Sequence, residues 1–115
     1  MAINKSLIIP LKNETIEVVT IIERFKQFLN EDTELIVVLD DKNDPTIKFL
    51  NESNLGIKIL ISNLEPGASN AIKYAISKCM GRYVCIAMGD GSDDPTQVEE
   101  LLLLVERGLA VSVAS

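Results

Sequence analysis

The sequence contains no histidine. Histidine is the commonest general base and the commonest zinc ligand in proteins, and a Ser-His-Asp triad requires it. Hydrolase mechanisms that depend on this residue are therefore disfavoured. Cysteine is also scarce. The chain has two, Cys79 and Cys85, and they do not form a Cys-x-x-Cys motif. We expect both to be buried thiols.

Long apolar runs are absent as well. The runs extend only about six to eight residues between charges, whereas a membrane-spanning helix needs about 20. The first residues lead directly into a strand-like run, without the hydrophobic region and cleavage site of a secretory signal. The sequence therefore predicts no transmembrane segment and a cytoplasmic setting, which for the full-length protein includes the cytoplasmic face of the membrane.

Positive charge is in deficit. The net charge is −6, and Lys and Arg do not cluster on any one predicted face, so the sequence predicts no nucleic-acid partner. The same deficit matters for small ligands. Two like charges about 4 Å apart repel by roughly 4 kcal/mol at an effective dielectric constant of about 20. A diphosphate site in this protein is therefore expected to contain a compensating metal ion.

The chain does contain enough apolar sequence for one core, with 115 residues and 47% hydrophobic content. Five short apolar runs predict buried strands, at residues 6–9, 34–39, 57–61, 83–88 and 109–114. Apolar residues with helical spacing lie between them, at residues 18–29, 46–52, 68–79 and 98–105. This alternation predicts an α/β fold with a doubly wound, mostly parallel sheet covered on both faces. We expect residues 1–115 to be a piece truncated within a larger domain.

Acidic residues follow three of the predicted strands, and in open α/β sheets ligands bind at the carboxyl ends of the strands. Oxygen donors without histidine or thiolate favour Mg²⁺ or Mn²⁺, which share their coordination with substrate phosphates. Asp90 is the leading candidate metal ligand, and Ser92 lies two residues farther along the same loop. Gly89 precedes Asp90, and Gly91 lies between Asp90 and Ser92. Both glycines allow a phosphate to approach the backbone closely.

Each acidic loop also has a purely structural interpretation. Asp44-Pro45 and Asp94-Pro95 both offer an N-cap followed by proline at the first helical position, and Asp93 could serve the second of these helices. Asp40 and Asp41 are also typical of a turn after a strand. Glu14 is typical of an acid in the first turn of a helix.

The order of these motifs resembles the family-2 inverting glycosyltransferases with the GT-A fold, and especially their dolichol-phosphate mannosyltransferase-like branch. The resemblance rests on the following residues in sequence order: Ser6-Leu7-Ile8-Ile9-Pro10 with Asn13-Glu14, Val37-Val38-Leu39-Asp40-Asp41, Pro66-Gly67-Ala68-Ser69-Asn70-Ala71, Gly81-Arg82-Tyr83-Val84, and Asp90 with Ser92-Asp93-Asp94-Pro95. The match covers essentially the whole chain, which would correspond to the amino-terminal, donor-binding half of such an enzyme.

The resemblance implies a role for each matching position. It assigns Pro10, Glu14, Asp40 and Asp41 to the nucleotide, Gly67, Asn70 and Gly89 to the donor phosphate or sugar, and Asp90 and Ser92 to Mg²⁺ or Mn²⁺. The partner is then a nucleoside-diphosphate sugar, and the acceptor, a lipid phosphate or a saccharide, binds the missing half. The implied reaction is displacement at the anomeric carbon with inversion, for which the catalytic residues are unknown.

Two other functions are alternatives for a sequence of this kind. A non-catalytic metal-binding module of the receiver type expects an acidic pair after the first strand and a single aspartate after the third. In this sequence the first strand ends at Pro10 and the third at Ser62-Asn63. A nucleotidyltransferase-like domain expects a glycine-rich basic loop after the first strand, and Pro10-Leu11-Lys12-Asn13 contains no glycine. Both alternatives therefore fit less well than the glycosyltransferase.

Overall fold

A computed structural model describes residues 3–87, and the backbone only of Ala68 and Ser69 within them. Strands and helices alternate along this part of the chain. In chain order they are β1 (Lys5–Pro10), α1 (Glu17–Gln27), β2 (Thr33–Leu39), α2 (Pro45–Ser53), β3 (Lys58–Ile61), α3 (Ala68–Lys78) and β4 (Tyr83–Ile86). The predicted strand at residues 109–114 and the predicted helix at residues 98–105 lie outside the described residues.

The four described strands form one parallel sheet in the order β3-β2-β1-β4. Leu7 in β1 lies opposite Leu35 in β2 and Cys85 in β4. The chain first moves outward from β1 to β3 and then returns past β1 to β4. This reversal is the topology of a Rossmann-like sheet, so the predicted fold class is confirmed.

Both faces of the sheet are covered, because successive side chains of a strand point to opposite faces. One face packs against α1 and α2, and the other packs against α3. The first core contains Leu7, Ile9, Leu35, Val37 and Leu39 together with Val18, Ile22, Phe25 and Leu50, and the second contains Ile8, Ile36 and Val38 together with Ala71 and Ala75. The near-continuous apolar strands are thus explained by burial on two sides.

Three details of the predicted core are wrong. Phe28 is 47% exposed, because α1 ends one residue earlier and Phe28 has left helical geometry, with φ −101° and ψ 0°. Ile76 is 46% exposed, because α3 turns its alanines to the sheet instead. Cys85 is buried as expected, whereas Cys79 is only half-buried. None of the helices within residues 3–87 is long and apolar enough to span a bilayer.

The amino-terminal edge of the sheet has a close backbone approach at Gly81. A Cβ atom there would lie 2.5 Å from the Ser6 Oγ and 2.5 Å from the carbonyl carbon of Lys5, so only glycine fits. The Gly81 N–H donates to the Ser6 hydroxyl at 2.9 Å, and that hydroxyl donates to Glu34 at 2.5 Å. These contacts join the segment before β4 to β1 and β2.

Candidate functional site

A cleft of about 210 Å³ opens at the carboxyl ends of β1 and β2. Its lining comes from the loop after β1, the loop after β2 and the loop before α3. The lining residues are Lys12, Asn13, Asp40, Asp41, Asp44 and Pro66. Ligands of open α/β sheets bind at this edge, beside the point where the strand order reverses.

Asp44 and Thr46 connect the two loops beside β1 and β2. Asp44 is the N-cap of α2, and its Oδ1 accepts from the Thr46 N–H at 2.9 Å. Its other oxygen, Oδ2, accepts from the Asn13 N–H at 2.9 Å. The Thr46 Oγ1 accepts from the Glu14 N–H at 2.8 Å. The first turn of α2 therefore holds the backbone of the loop that follows β1.

Asp44 is only 6% exposed, yet its environment favours the ionised form of the carboxyl group. Burial by itself raises the pKa of this carboxyl group. Hydrogen bonds from the Thr46 side chain, the Asn13 N–H and the Thr46 N–H outweigh burial and, with the positive charge of Lys12, hold the pKa below its ordinary value. The expected N-cap is thus confirmed as a charged one.

Asp40 connects the end of β2 to the start of α3. Its Oδ2 accepts from the Gly67 N–H at 2.8 Å. Gly67 precedes α3 with φ +132° and ψ 149°, a conformation that is essentially restricted to glycine. The neighbouring Asp41 is exposed, and its Oδ1 accepts from the Asn43 N–H at 2.9 Å, which is the turn interaction expected of aspartate.

The structure brings together only some of the residues that the sequence assigned to ligands. Asp40 and Asp41 line the cleft side by side. Pro10 ends β1 and Glu14 is half-buried beyond it, and neither is among the lining residues. Asn70 lies half-buried in the first turn of α3. Three further predicted positions, Gly89, Asp90 and Ser92, lie outside the described residues.

Sequence reasoning missed Thr46 and the contribution of Lys12, Asn13 and Pro66 to the cleft. Lys12 is exposed and lies at the rim of the cleft. The role of Thr46 depends on its contact with Glu14, which is 32 residues away in the sequence. The only local signal was its place two residues after an N-cap.

Within residues 3–87, no group of three acidic or cysteine side chains is arranged to hold a metal ion. Asp44 also directs both carboxylate oxygens at backbone N–H groups. The predicted Mg²⁺ or Mn²⁺ site, with Asp90 and Ser92 as its ligands, stays a prediction, because both residues lie outside the described part of the chain.

A second cavity, of about 310 Å³, lies at the opposite edge of the sheet, between the carboxyl-terminal ends of α1 and α2. Its lining includes Glu23, Lys26 and Asn54. The Lys26 Nζ there donates to the carbonyl oxygen of Gly56 at 2.8 Å. Although this cavity is larger, it lies at the amino-terminal ends of the strands, where open α/β sheets do not place their ligands.

Comparison with known proteins identifies the family of the chain. The family model described as glycosyl transferase family 2 matches residues 6–115, which is nearly the whole chain. No curated protein sequence shows a significant match to the chain. The all-parallel sheet and its Rossmann-like strand order are consistent with this family. The chain belongs to glycosyl transferase family 2.

Proposed function

We propose that this chain binds the nucleoside-diphosphate sugar of an inverting glycosyltransferase. The observation that carries the proposal is the cleft in which Asp40 and Asp41 face Lys12, Asn13 and Pro66. Carboxylates accept hydrogen bonds from the N–H groups of a base and the hydroxyls of a ribose. The cleft therefore suits the nucleoside end of the donor.

The charge of the cleft decides which end of the donor it takes. Asp40, Asp41 and Asp44 oppose the single positive charge of Lys12 among the lining residues. A diphosphate placed among these carboxylates would be repelled, whereas the neutral base and ribose would not. We therefore assign the nucleoside to the ends of β1 and β2, and the diphosphate to the side of β4, the strand that Asp90 and Ser92 follow in the chain.

A divalent cation bound by Asp90 and Ser92 would neutralise the charge of the departing nucleoside diphosphate. Around it, Gly67, Asn70 and Gly89 would contact the donor phosphate or sugar. An acceptor oxygen attacks the anomeric carbon as the bond to the diphosphate oxygen breaks, which inverts the configuration. When the acceptor is a polyprenyl phosphate, as in the branch that the sequence resembles, the attacking oxygen is already ionised and no strong base is needed.

Calorimetric titration with several nucleoside diphosphates, with and without Mn²⁺, tests the donor site. We expect binding that Mn²⁺ strengthens. Asp41→Asn should weaken it by about 10- to 100-fold, because a hydrogen bond to a charged group contributes about 1.5–3 kcal/mol. Asp90→Asn should abolish the effect of Mn²⁺.

Glu23→Gln is the matched control, because it removes one negative charge at the opposite edge of the sheet. We expect it to bind nucleotide like the unchanged protein. If no nucleoside diphosphate binds under any metal condition, the proposed donor site is wrong. If Glu23→Gln weakens binding as much as Asp41→Asn, the nucleotide is not held by the cleft.

A further inference from the structure

The loop after β1 depends on contacts with another element for its shape. Asn13 adopts φ +50°, in the left-handed region that non-glycine residues enter infrequently. The next two residues are exposed or half-buried, and Ile16 is 65% exposed, so few apolar contacts hold this segment. The N–H groups of Asn13 and Glu14 are instead fixed by acceptors on the first turn of α2.

Thr46 is at the centre of these contacts. Its side chain is fully buried, at 0% exposure, and it is not among the residues that line the cleft. Its hydroxyl oxygen accepts from the Glu14 N–H at 2.8 Å, and its backbone N–H donates to the Asp44 carboxylate at 2.9 Å. Thr46 thereby joins the loop backbone to the carboxylate that holds Asn13.

From this geometry we propose that Thr46 is a positioning residue for the nucleotide. It holds residues 12–14 in the shape that makes one wall of the cleft, without touching the ligand itself. The inference rests on the proposed donor site, because it concerns the affinity of that site. In this inference α2 controls the position of the wall formed by Lys12 and Asn13. No residue of α2 itself is a predicted ligand contact.

Three variants distinguish an effect of Thr46 on the position of the loop from an effect on the stability of the whole fold. Thr46→Val keeps the shape of the side chain but removes the hydroxyl, and Thr46→Ser keeps the hydroxyl. Ile22→Val is the control, because it trims a fully buried residue of α1 whose core lies on the sheet face and not in the cleft. Binding of uridine diphosphate and guanosine diphosphate is measured by calorimetry with Mn²⁺, at a temperature where all the variants remain folded. Amide hydrogen exchange at Glu14 is measured in parallel.

We expect Thr46→Val to bind the preferred nucleotide about three- to tenfold more weakly. This is the effect of losing about one hydrogen bond that holds the loop in its binding conformation. Its Glu14 amide should exchange about tenfold faster. Thr46→Ser should restore both quantities to within about twofold of the unchanged protein, and Ile22→Val should leave both unchanged.

The positioning role is refuted if Thr46→Val binds nucleotide as tightly as the unchanged protein, or if Ile22→Val weakens binding equally. It is also refuted if Thr46→Ser fails to restore affinity. If the unchanged protein binds neither nucleotide, the proposed donor site itself fails and the inference falls with it. The two failures are thus distinguished by the unchanged protein alone.

Discussion

Replacing Asp44 by Asn tests whether the charged cap of α2 stabilises the fold as the geometry indicates. The carboxylate accepts from two backbone N–H groups, those of Asn13 and Thr46, both at 2.9 Å. An amide has one acceptor oxygen, so in either orientation one of these N–H groups meets an NH₂ donor. Losing a buried hydrogen bond to a charged group costs about 1.5–3 kcal/mol. For a domain of this size that corresponds to a fall in Tm of about 6–12 °C.

The same variant has a pH signature. Because the folded-state pKa of Asp44 is lowered, its carboxylate contributes stability above the unfolded-state pKa, about 3.9, and that contribution is lost as the pH falls through the folded-state pKa. Asn does not titrate. Urea denaturation between pH 7 and pH 3 should therefore show a large difference between the two proteins at pH 7 that narrows below about pH 4.

Asp41→Asn is the control for this measurement, because Asp41 is exposed and its loss should change the free energy of unfolding by no more than about 0.5 kcal/mol. A difference between Asp44→Asn and the unchanged protein that stays constant down to pH 3 would refute the electrostatic part of the argument. A difference at pH 7 no larger than that of Asp41→Asn would refute the structural part.

Three further substitutions test local features of the fold by urea denaturation. Gly81→Ala should cost about 1–3 kcal/mol, since its Cβ would lie 2.5 Å from the backbone of Lys5, and a cost below about 0.5 kcal/mol would contradict that close approach. Gly67→Ala should cost about 1–3 kcal/mol through backbone strain alone, since no atom lies within 4 Å of the added carbon, and a neutral result would mean that φ is not +132°. Ser6→Ala should cost about 1–3 kcal/mol, since it leaves the Gly81 N–H without its acceptor, and an unchanged free energy of unfolding would contradict the contribution of that hydrogen bond.

The sheet could be predicted from the sequence because its signals are local. β1 and β2 contain the continuous apolar runs at residues 7–9 and 35–39, as expected of strands that are buried on both faces. The start of α2 could also be predicted, because Asp44 suits the N-cap and Pro45 suits the first helical position. The sequence also placed Asp40 and Asp41 at the carboxyl edge of the sheet, and both line the cleft there. Their contact with a nucleotide stays a prediction.

The network that shapes the cleft could not be predicted, because it joins residues that are distant in the sequence. Asp40 contacts Gly67 across 27 residues, and Asp44 contacts Asn13 across 31. In the sequence these aspartates look like turn and cap residues, and Asp44 does cap α2. Their additional contacts depend on the spacing of neighbouring strands, which no local pattern records. The exposed Phe28 has a related cause, since helical periodicity does not show where a helix ends.

The most direct test of the donor site is to map nucleotide contacts by NMR on the isotope-labelled chain. Titration with the tightest-binding nucleoside diphosphate in the presence of Mg²⁺, which is diamagnetic, should shift the backbone amides of Lys12, Asn13, Asp40 and Asp41, the residues that line the cleft. The amide of Asn54, beside the cavity at the opposite edge, should not move. Shifts confined to that opposite cavity, with the four cleft amides unchanged, would contradict the account.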